Sequence, residues 1–485
     1  MKYWIGYILA VLFFSCSGPE NVKVSPEYPP VYPDYIGVSI PQNIAPLNFL
    51  LRNHPEKLHV SIIGKTDSIS VDGEYKIEIP QVKWSQLLSE NVNDSLSVKV
   101  YAQINGEWIQ YKPFKWHVKS DKVDSFLSYR LIEPGYEVWN KIQIAERNVE
   151  NFHQRILADN NLTNGNCMNC HIHGNQNGKL SMFHLRGEKG GTILNKNGKL
   201  RKINTRAKGM LSNAVYGDFH PSGRYGVFST NIIIPELHAN RSDRLEVYDT
   251  ASDLVVIDFD SDKAITKPFL SDSTAFETFP VFSAEGNWIY FCSAPKVALP
   301  DSIKSLKYNI CRVVFDAEKG EIGDKIDTLW NARKMGGSAC HLKASPDGNY
   351  LLYTVADYGT FPIWHREADL QMMNLKTGEI DHLEQVNGPN SDSYHSWSSN
   401  SRWFVFASKR DDGIYGKPYF CYIDVSGKAH KPFVLPQRDP EAYDYMLKSF
   451  NIPDLSATSV PFDATDIEKV YWRQDAEQVT LKNKE

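Results

Sequence analysis

One pattern recurs four times in the second half of this 485-residue chain. Each copy has an apolar run, a tight turn of small and polar residues, and a second apolar run, which is typical of two antiparallel strands. Aligning the copies on their turns gives spacings of 63, 62 and 53 residues. Units of this kind build a β-propeller, and a partial unit at 178–205 makes five visible repeats. The aligned turn positions are Gly223, Gly286, Gly348 and Ser401.

The rest of the chain divides into segments that differ in their pattern of apolar and polar residues. Residues 35–120 alternate apolar and polar side chains, with Asp-Gly at 72–73 and Asn-Gly at 105–106 as hairpin turns. This pattern predicts a small immunoglobulin-like β-sandwich that serves as a spacer or docking module. Residues 121–177 are expected to be a linker, helical over 137–157, and residues 178–475 the propeller. The predicted fold is therefore mainly β, with six blades if segment 455–475 supplies strands that close the ring.

The first sixteen residues have the pattern of an export signal. Lys2 precedes an apolar run over 3–14, which is short for a membrane span but has the size of a signal-peptide core. The run ends in Ser15-Cys16, which resembles the site at which a bacterial lipoprotein is cleaved and lipidated on its cysteine. An ordinary signal peptide with an incidental cysteine is the alternative. Acylation of Cys16 would anchor the chain at a membrane, with the proline-rich residues 17–34 as a tether.

Residues 167–171, Cys-Met-Asn-Cys-His, form a C-x-x-C-H sequence, the attachment pattern of c-type haem. Two thiols one helical turn apart can each form a thioether with the porphyrin, and the following imidazole can bind iron. The motif therefore predicts one covalent haem held by Cys167 and Cys170, with His171 as the proximal iron ligand. An exported chain suits this prediction, because c-type attachment takes place outside the cytoplasm.

Two other uses of the motif stay open at the level of sequence. A zinc site would add His173 to Cys167, Cys170 and His171, which crowds four donors into seven residues. A disulfide or redox-active C-x-x-C is the other alternative, although no thioredoxin-like βαβ pattern surrounds it.

A haem that transfers electrons usually has a second axial ligand, methionine or histidine. Met182 and His184 lie shortly after the motif on a predicted strand, with their side chains on one face. His220 and His238 are more distant candidates. An open sixth position would instead make the iron a binding or reactive centre.

Several polar residues fall near the start of predicted innermost strands, where a propeller forms its binding face. Glu277, His341 and His395 are candidates for a site at the channel mouth, with Tyr216 and Asp218 at comparable places. They could bind a metal, approach the haem or hold a ligand, or they could be ordinary satisfied polar residues. The cysteines at 292, 311, 340 and 421 are predicted to be buried thiols.

The turn Ser-Pro-Asp-Gly at 345–348 and the apolar run after it resemble the PD40, WD40-like repeats of TolB-like propellers. With its leader and C-x-x-C-H motif, the chain resembles the exported TolB-like lipoproteins of Bacteroidota. The resemblance covers about 180–430 and implies a six-bladed propeller but little chemistry. The fourth copy departs from the pattern, because it has Ser-Ser-Asn-Ser at 398–401.

These features together predict an envelope lipoprotein, facing the periplasm, that carries one c-type haem and transfers electrons or senses redox state with a docked partner. A propeller scaffold without redox function is the alternative, and a haem enzyme with an open distal side is a third. The net charge of −5 and the lack of a long basic run exclude a nucleic-acid partner. A serine hydrolase is not expected, because no G-x-S-x-G motif occurs.

Overall fold

A computed structural model of the chain describes Pro19 and residues 21–136, 139–236 and 244–482. Within these ranges the protein is mainly β, and its strands form a β-rich N-terminal module followed by six four- or five-stranded sheets. Cys16 and His238 lie outside the described residues. No helix in the described ranges is long and apolar enough to cross a bilayer.

The N-terminal module is built from nine short strands and one helix, α1 (Gln81–Glu90). Seven of the strands are connected by pairing, and β2 and β4 pair with each other. Strand β7 is central, because it pairs with β5 on one side and with both β8 and β9 on the other. The strands are β1 (Lys23–Val24), β2 (Val31–Tyr32), β3 (Ser39–Pro41), β4 (Leu50–Leu51), β5 (Lys57–Ile63), β6 (Ser68–Gly73), β7 (Ser95–Ile104), β8 (Glu107–Gln110) and β9 (Phe114–Lys119).

Two fully buried tryptophans join α1 to the sheet. Trp84 of α1 meets Trp116 of β9 edge to face, with ring centroids 5.5 Å apart. Each indole N–H donates to a backbone carbonyl, Trp84 to Ile44 at 2.9 Å and Trp116 to Tyr35 at 2.7 Å. Both rings therefore contribute apolar area without leaving a buried donor unsatisfied.

The six sheets that follow are the blades of a β-propeller. Blade 1 contains β10 (Phe126–Ile132), β11 (Gln143–Asn148) and β12 (Gln154–Asp159); blade 2, β13 (Met168–Gly174), β14 (Asn177–Leu185), β15 (Gly191–Lys196) and β16 (Lys199–Asn204); blade 3, β17 (Ala214–Phe219), β18 (Tyr225–Glu236), β19 (Glu246–Asp258) and β20 (Lys263–Ile265). Blade 4 contains β21 (Ala275–Phe282), β22 (Trp288–Pro295), β23 (Asn309–Asp316) and β24 (Glu321–Trp330); blade 5, β25 (Ser338–Ala344), β26 (Tyr350–Ala356), β27 (Asp369–Asn374) and β28 (Ile380–Asp381); blade 6, β29 (Asp392–Trp397), β30 (Trp403–Ser408), β31 (Lys417–Tyr422) and β32 (Phe433–Val434).

The C-terminal strand β33 (Ser449–Ser456) closes the ring. It pairs antiparallel with β10 and so becomes the innermost strand of blade 1. The predicted closing segment, 455–475, contributes only its first two residues to the closing strand, and ten of its residues form α4 (Ala464–Arg473). Two further short strands, β34 (Glu477–Gln478) and β35 (Thr480–Leu481), extend blades 2 and 3 at their outer edges. Two short helices, α2 (Ala332–Met335) and α3 (Ala442–Tyr445), lie in connections.

Two predictions about residues 121–177 are wrong. The described part of 137–157 contains β11 and the start of β12 in place of a helix, and the C-x-x-C-H motif enters strand β13. The propeller strands consequently begin at Phe126, not near 178. Local helix propensity is a weak influence, and here the pairing of β11 with both β10 and β12 overrides it.

The divergent turn of blade 6 contacts the segment that joins the N-terminal module to blade 1. Ser399 donates from its backbone N–H and its hydroxyl to the Asp124 carboxylate, at 2.8 and 2.6 Å. Asn400 donates to the Lys122 carbonyl at 2.7 Å. Ser401 keeps the left-handed backbone of the glycines in the other copies, with φ of 58°. The backbone of this turn therefore has the same conformation as in the other copies, while its side chains form hydrogen bonds with residues 122 and 124.

Ring closure gives a stability prediction. Leu455 of β33 is fully buried, so the substitution Leu455→Ala should lower the free energy of unfolding by about 2–5 kcal/mol. Urea denaturation followed by tryptophan fluorescence measures this change. The control Val425→Ala, at a side chain 89% exposed, should change stability by less than about 0.5 kcal/mol. Equal effects of the two substitutions would contradict the described closure.

Candidate functional site in the propeller channel

The six innermost strands surround a narrow cavity on the propeller axis. Its empty space is about 560 Å³ including the open mouth, but only about 80 Å³ is wide enough for water. Cys170 and His171 of the motif line this cavity, together with Tyr216, Phe279 and His341. The candidate haem residues and the candidate mouth residues thus converge on one site.

Every innermost strand has a bulge at the same level of the channel. At each bulge one residue with a side chain has a left-handed backbone, with φ between 47° and 58°, and the pairing register shifts there. Such a conformation is uncommon outside glycine and strained, and bulges re-aim side chains. The six bulge residues are Cys170, Tyr216, Phe279, His341, Tyr394 and Ile452.

The bulge residues form a ring of side chains around the axis. Tyr216 and Phe279 have ring centroids 4.7 Å apart, and Phe279 meets His341 edge to face at 4.5 Å. His341 stacks on Tyr394 at 4.3 Å, with an angle of 21° between the rings. Cys170 and Ile452 complete the circle. The ring makes the channel narrow and largely apolar at this level.

Both cysteines of the motif are free thiols in the structure. Burial raises the pKa of the Cys170 thiol, while the Tyr216 amide and the nearby Arg130 and Arg186 act in the opposite direction. Cys167 precedes β13 and packs against the apolar cluster between blades 1 and 2. The two thiols therefore lie in different surroundings, and only Cys170 lines the cavity.

His171 and His341 are the two least satisfied side chains of the cavity. Both are buried, at 4% and 8% exposure, and neither ring nitrogen of either residue has a hydrogen-bond partner within normal limits. Burial lowers the pKa of His171 to about 4 and that of His341 well below its usual value, so both imidazoles are neutral at physiological pH. Buried polar groups are normally paired, so these rings indicate a missing partner.

The two predicted distal ligands have different surroundings. Met182 packs in the apolar cluster between blades 2 and 3, and it also lines the small cavity that His171 and Ile144 line. His184 is 3.2 Å from the Thr192 hydroxyl and lines a pocket with Val215 of blade 3. His220 lies beyond β17, with Nε2 3.2 Å from the Gly286 carbonyl oxygen.

The candidate mouth residues occupy different levels of the channel. His395 follows the bulge residue Tyr394, so it is Tyr394 that corresponds to His341 in position. The His395 Nε2–H donates to the Leu352 carbonyl at 2.9 Å, and burial lowers its pKa to about 3. Glu277 lies two residues before its bulge and is 2% exposed. The offset is visible in the sequence, because His341 lies seven residues before its aligned turn position and His395 only six before its own.

The opposite end of the channel, near the blade turns, is polar. Lys343 Nζ lies 3.3 Å from an Asp218 oxygen, and the Asp454 carboxylate accepts the His173 N–H at 2.8 Å. A pocket of about 330 Å³ opens there. Sequence analysis missed Lys343 and Asp454. Lys343 and Asp454 each lie two residues after a bulge residue, as Asp218 does. This shared position could have identified them in the sequence.

The donor set of the motif fits the suggested cofactors unequally. The described residues contain no cluster of three or more His, Cys, Asp or Glu side chains spaced for a metal ion, so a preformed zinc site is not observed in these ranges. His173 Nε2 is 2.9 Å from the Ser128 hydroxyl. The side chains of Cys170 and His171 are suitable donors for a haem, but the cavity as described does not hold a porphyrin, because only about 80 Å³ of it is wide enough for water and Cys167 lies outside it.

Comparison with known proteins does not assign the chain to a family. No protein-family model and no curated protein matches the chain. A solved oligogalacturonate lyase in complex with manganese is 12% identical over 64% of this chain and 85% of its own, with a TM-score of 0.33. A DUF4784 family protein from Bacteroides caccae is 7% identical (74% and 96% covered, TM-score 0.30), and a prolyl endopeptidase is 13% identical (65% and 42% covered, TM-score 0.32).

The titration of Glu277 gives a second prediction. Burial, with the neighbouring Asp253 and Asp272 carboxylates, raises its pKa from 4.5 to about 8. In the unfolded chain the Glu277 carboxyl ionises at a lower pH than in the folded protein. The free energy of unfolding should therefore fall by a few kcal/mol as pH rises from about 5 to 8. Glu277→Gln should remove this loss, as urea denaturation at several pH values will show. The exposed control Glu384→Gln should keep the slope of the parent protein, and an unchanged slope in Glu277→Gln would contradict the described burial.

Thiol reactivity gives a third prediction, for protein produced in the cytoplasm without residues 1–16. Cys167 and Cys170 are partly exposed, whereas the cysteines at 292, 311, 340 and 421 are buried. Alkylation followed by mass spectrometry should modify the first two in the native protein and the other four only in denaturant. The reaction of Cys170 should require a higher pH than that of an ordinary free thiol, because burial raises its pKa and the thiolate is the reactive form. Native modification of the four buried thiols would contradict the structure.

Proposed function

We propose that this β-propeller is an exported, lipid-anchored envelope protein that holds one c-type haem and exchanges electrons with, or senses redox state for, a docked protein partner. The observation that carries the proposal is His171: a buried, neutral imidazole with both nitrogens unpartnered, beside the free thiol of Cys170. The C-x-x-C-H spacing makes that pair part of a haem-attachment sequence. Cys16 would carry the lipid and keep the propeller at the membrane.

The residues of the chain would divide the work as follows. Cys167 and Cys170 would hold the porphyrin through thioethers, which for Cys167 requires that it turn from the cluster between blades 1 and 2 towards the cavity. His171 would supply the proximal nitrogen. When bound, the haem supplies a one-electron couple, and the protein sets its potential through ligands and burial.

The ring of bulge residues would have to open to admit a porphyrin, because only about 80 Å³ on the axis is wide enough for water. Its aromatic members exclude water from the axis, and a dry surrounding shifts the redox potential of an enclosed metal. Arg130 and Arg186 lie close enough to Cys170 to influence its ionisation. Their guanidinium groups would pair with the propionate groups of a haem. Because the ring fills the axis, the partner would dock on a face of the propeller or on the N-terminal module.

A second candidate function, binding without redox chemistry, rests on the polar end of the channel. The pocket of about 330 Å³ there places Lys343 between the carboxylates of Asp218 and Asp454. Its size is within the range of small-molecule sites. In this case the cysteines would be structural, and the protein would act as a scaffold or receptor in the envelope.

Haem content distinguishes the two candidates. The full chain, exported in a host that has the cytochrome c maturation machinery, should give a haem-stained band on a denaturing gel and a pyridine haemochrome spectrum. In Cys170→Ala and Cys167→Ala the covalent yield should fall at least tenfold, because one thioether is lost and attachment becomes inefficient. His171→Ala should keep less haem and lose the proximal ligand.

The matched control is Cys421→Ala, which removes a buried cysteine of blade 6 far from the motif. Its haem content should equal that of the parent protein. A parent protein that stays colourless, with Cys167 and Cys170 free or paired in mass spectra, would overturn the haem proposal and favour the binding function.

A further inference from the structure

Three charged side chains alternate around the polar end of the channel. Asp454 of blade 1, Asp218 of blade 3 and Lys343 of blade 5 each lie two residues after the bulge residue of their innermost strand. Every second blade therefore contributes one charge at this level. The same position in the three blades between them holds an uncharged side chain, and these residues are Ile172, Val281 and Ser396.

All three charged side chains line the pocket of about 330 Å³ near the blade turns. Lys343 Nζ lies 3.3 Å from one oxygen of Asp218, which is longer than the separation of about 2.8 Å that is usual for such a pair. The other Asp218 oxygen accepts the Phe282 N–H at 3.1 Å. The Lys343 and Asp218 side chains are 27% and 20% exposed, so both remain accessible from the pocket.

Asp454 is a buried carboxylate without a direct counter-ion. It is 9% exposed and accepts one hydrogen bond, from the His173 backbone N–H at 2.8 Å. Within the described residues it forms no ion pair, and Lys343 acts on it only from a greater distance. Burial of an unpaired carboxylate is costly, because the charge has lost its water. This cost indicates that a cationic partner is missing on the pocket side of Asp454.

The charge of the pocket lining also favours a cation. Two carboxylates and one ammonium leave one negative charge, because burial lowers the pKa of His173 to about 4 and keeps its ring neutral. The described residues contain no group of three His, Cys, Asp or Glu side chains spaced for a metal ion. An organic ammonium suits this lining better, since it donates hydrogen bonds to a few oxygens and needs no complete coordination shell.

We propose that this pocket binds a small organic amine, whose ammonium group pairs with Asp454 while Lys343 stays paired with Asp218. This inference rests on the second candidate function, binding at the polar end of the channel, and it does not depend on haem. A ligand carboxylate is disfavoured, because Asp454 and Asp218 repel it and Lys343 is already engaged. The pocket therefore selects its ligand by charge.

The experiment titrates the full chain, purified in detergent, with four probes of similar body and different charge. Phenethylamine is the cation, phenylalanine the zwitterion, 2-phenylethanol the neutral probe and 3-phenylpropionate the anion. Isothermal titration calorimetry should show that phenethylamine binds about tenfold more tightly than each of the others. Asp454→Asn should lower its affinity about tenfold, although the amide oxygen of the variant can still accept the His173 N–H. The matched control, Asp301→Asn at an exposed residue of a blade 4 connection, should bind as the parent does.

The outcomes separate the ligand class from the binding function. Equal affinity for the four probes, or preference for the alcohol or the carboxylate, would overturn the ammonium assignment and leave the binding function standing. Unchanged phenethylamine affinity in Asp454→Asn would overturn it as well. Failure of all four probes to bind at millimolar concentration would overturn the binding function too. If Asp454→Asn does not fold, Asp218→Asn should weaken phenethylamine binding, because it frees Lys343 to pair with Asp454.

Discussion

The pairing of β33 with β10 is the contact on which the rest of the propeller depends. It joins strands from opposite ends of the propeller sequence into blade 1, and it removes the two sheet edges that an open ring would expose. It also builds part of the channel. Ile452 completes the ring of bulge residues, and Asp454 accepts the His173 N–H at 2.8 Å, next to the motif. The strand that closes the ring therefore also supplies residues of the candidate site.

The repeated bulge explains how blades with different sequences make one site. All six innermost strands share a strained backbone at the same level, and the side chain placed there differs from blade to blade. Aromatic rings on three blades narrow the axis, and a thiol, an imidazole and an isoleucine occupy the others. Strain of this kind tends to occur at functional sites, since folding alone would favour relaxed strands. Here it directs the thiol of the C-x-x-C-H motif and an unpaired imidazole towards a common cavity.

The N-terminal module is attached through the most divergent repeat. Blade 6 has lost the Pro-Asp-Gly turn, and its serines instead bond to Asp124 from the segment that leads into blade 1. A shared apolar core, including Trp403, continues across this boundary. The module thus stays fixed to the propeller, so a partner that docks on it would be held in a defined position relative to the channel.

Sequence alone determined the features that depend on neighbouring residues. The repeats predicted propeller blades, the hairpin turns predicted a β-rich N-terminal module, and the spacing of Cys167, Cys170 and His171 predicted a haem-attachment site. Only the tertiary structure decided which strand closes the ring, that the described part of 137–157 contributes strands, and that His341, and not His184, lines the same cavity as His171. These outcomes depend on pairing between residues far apart in the chain and on a one-residue bulge, and a local pattern carries no information about either.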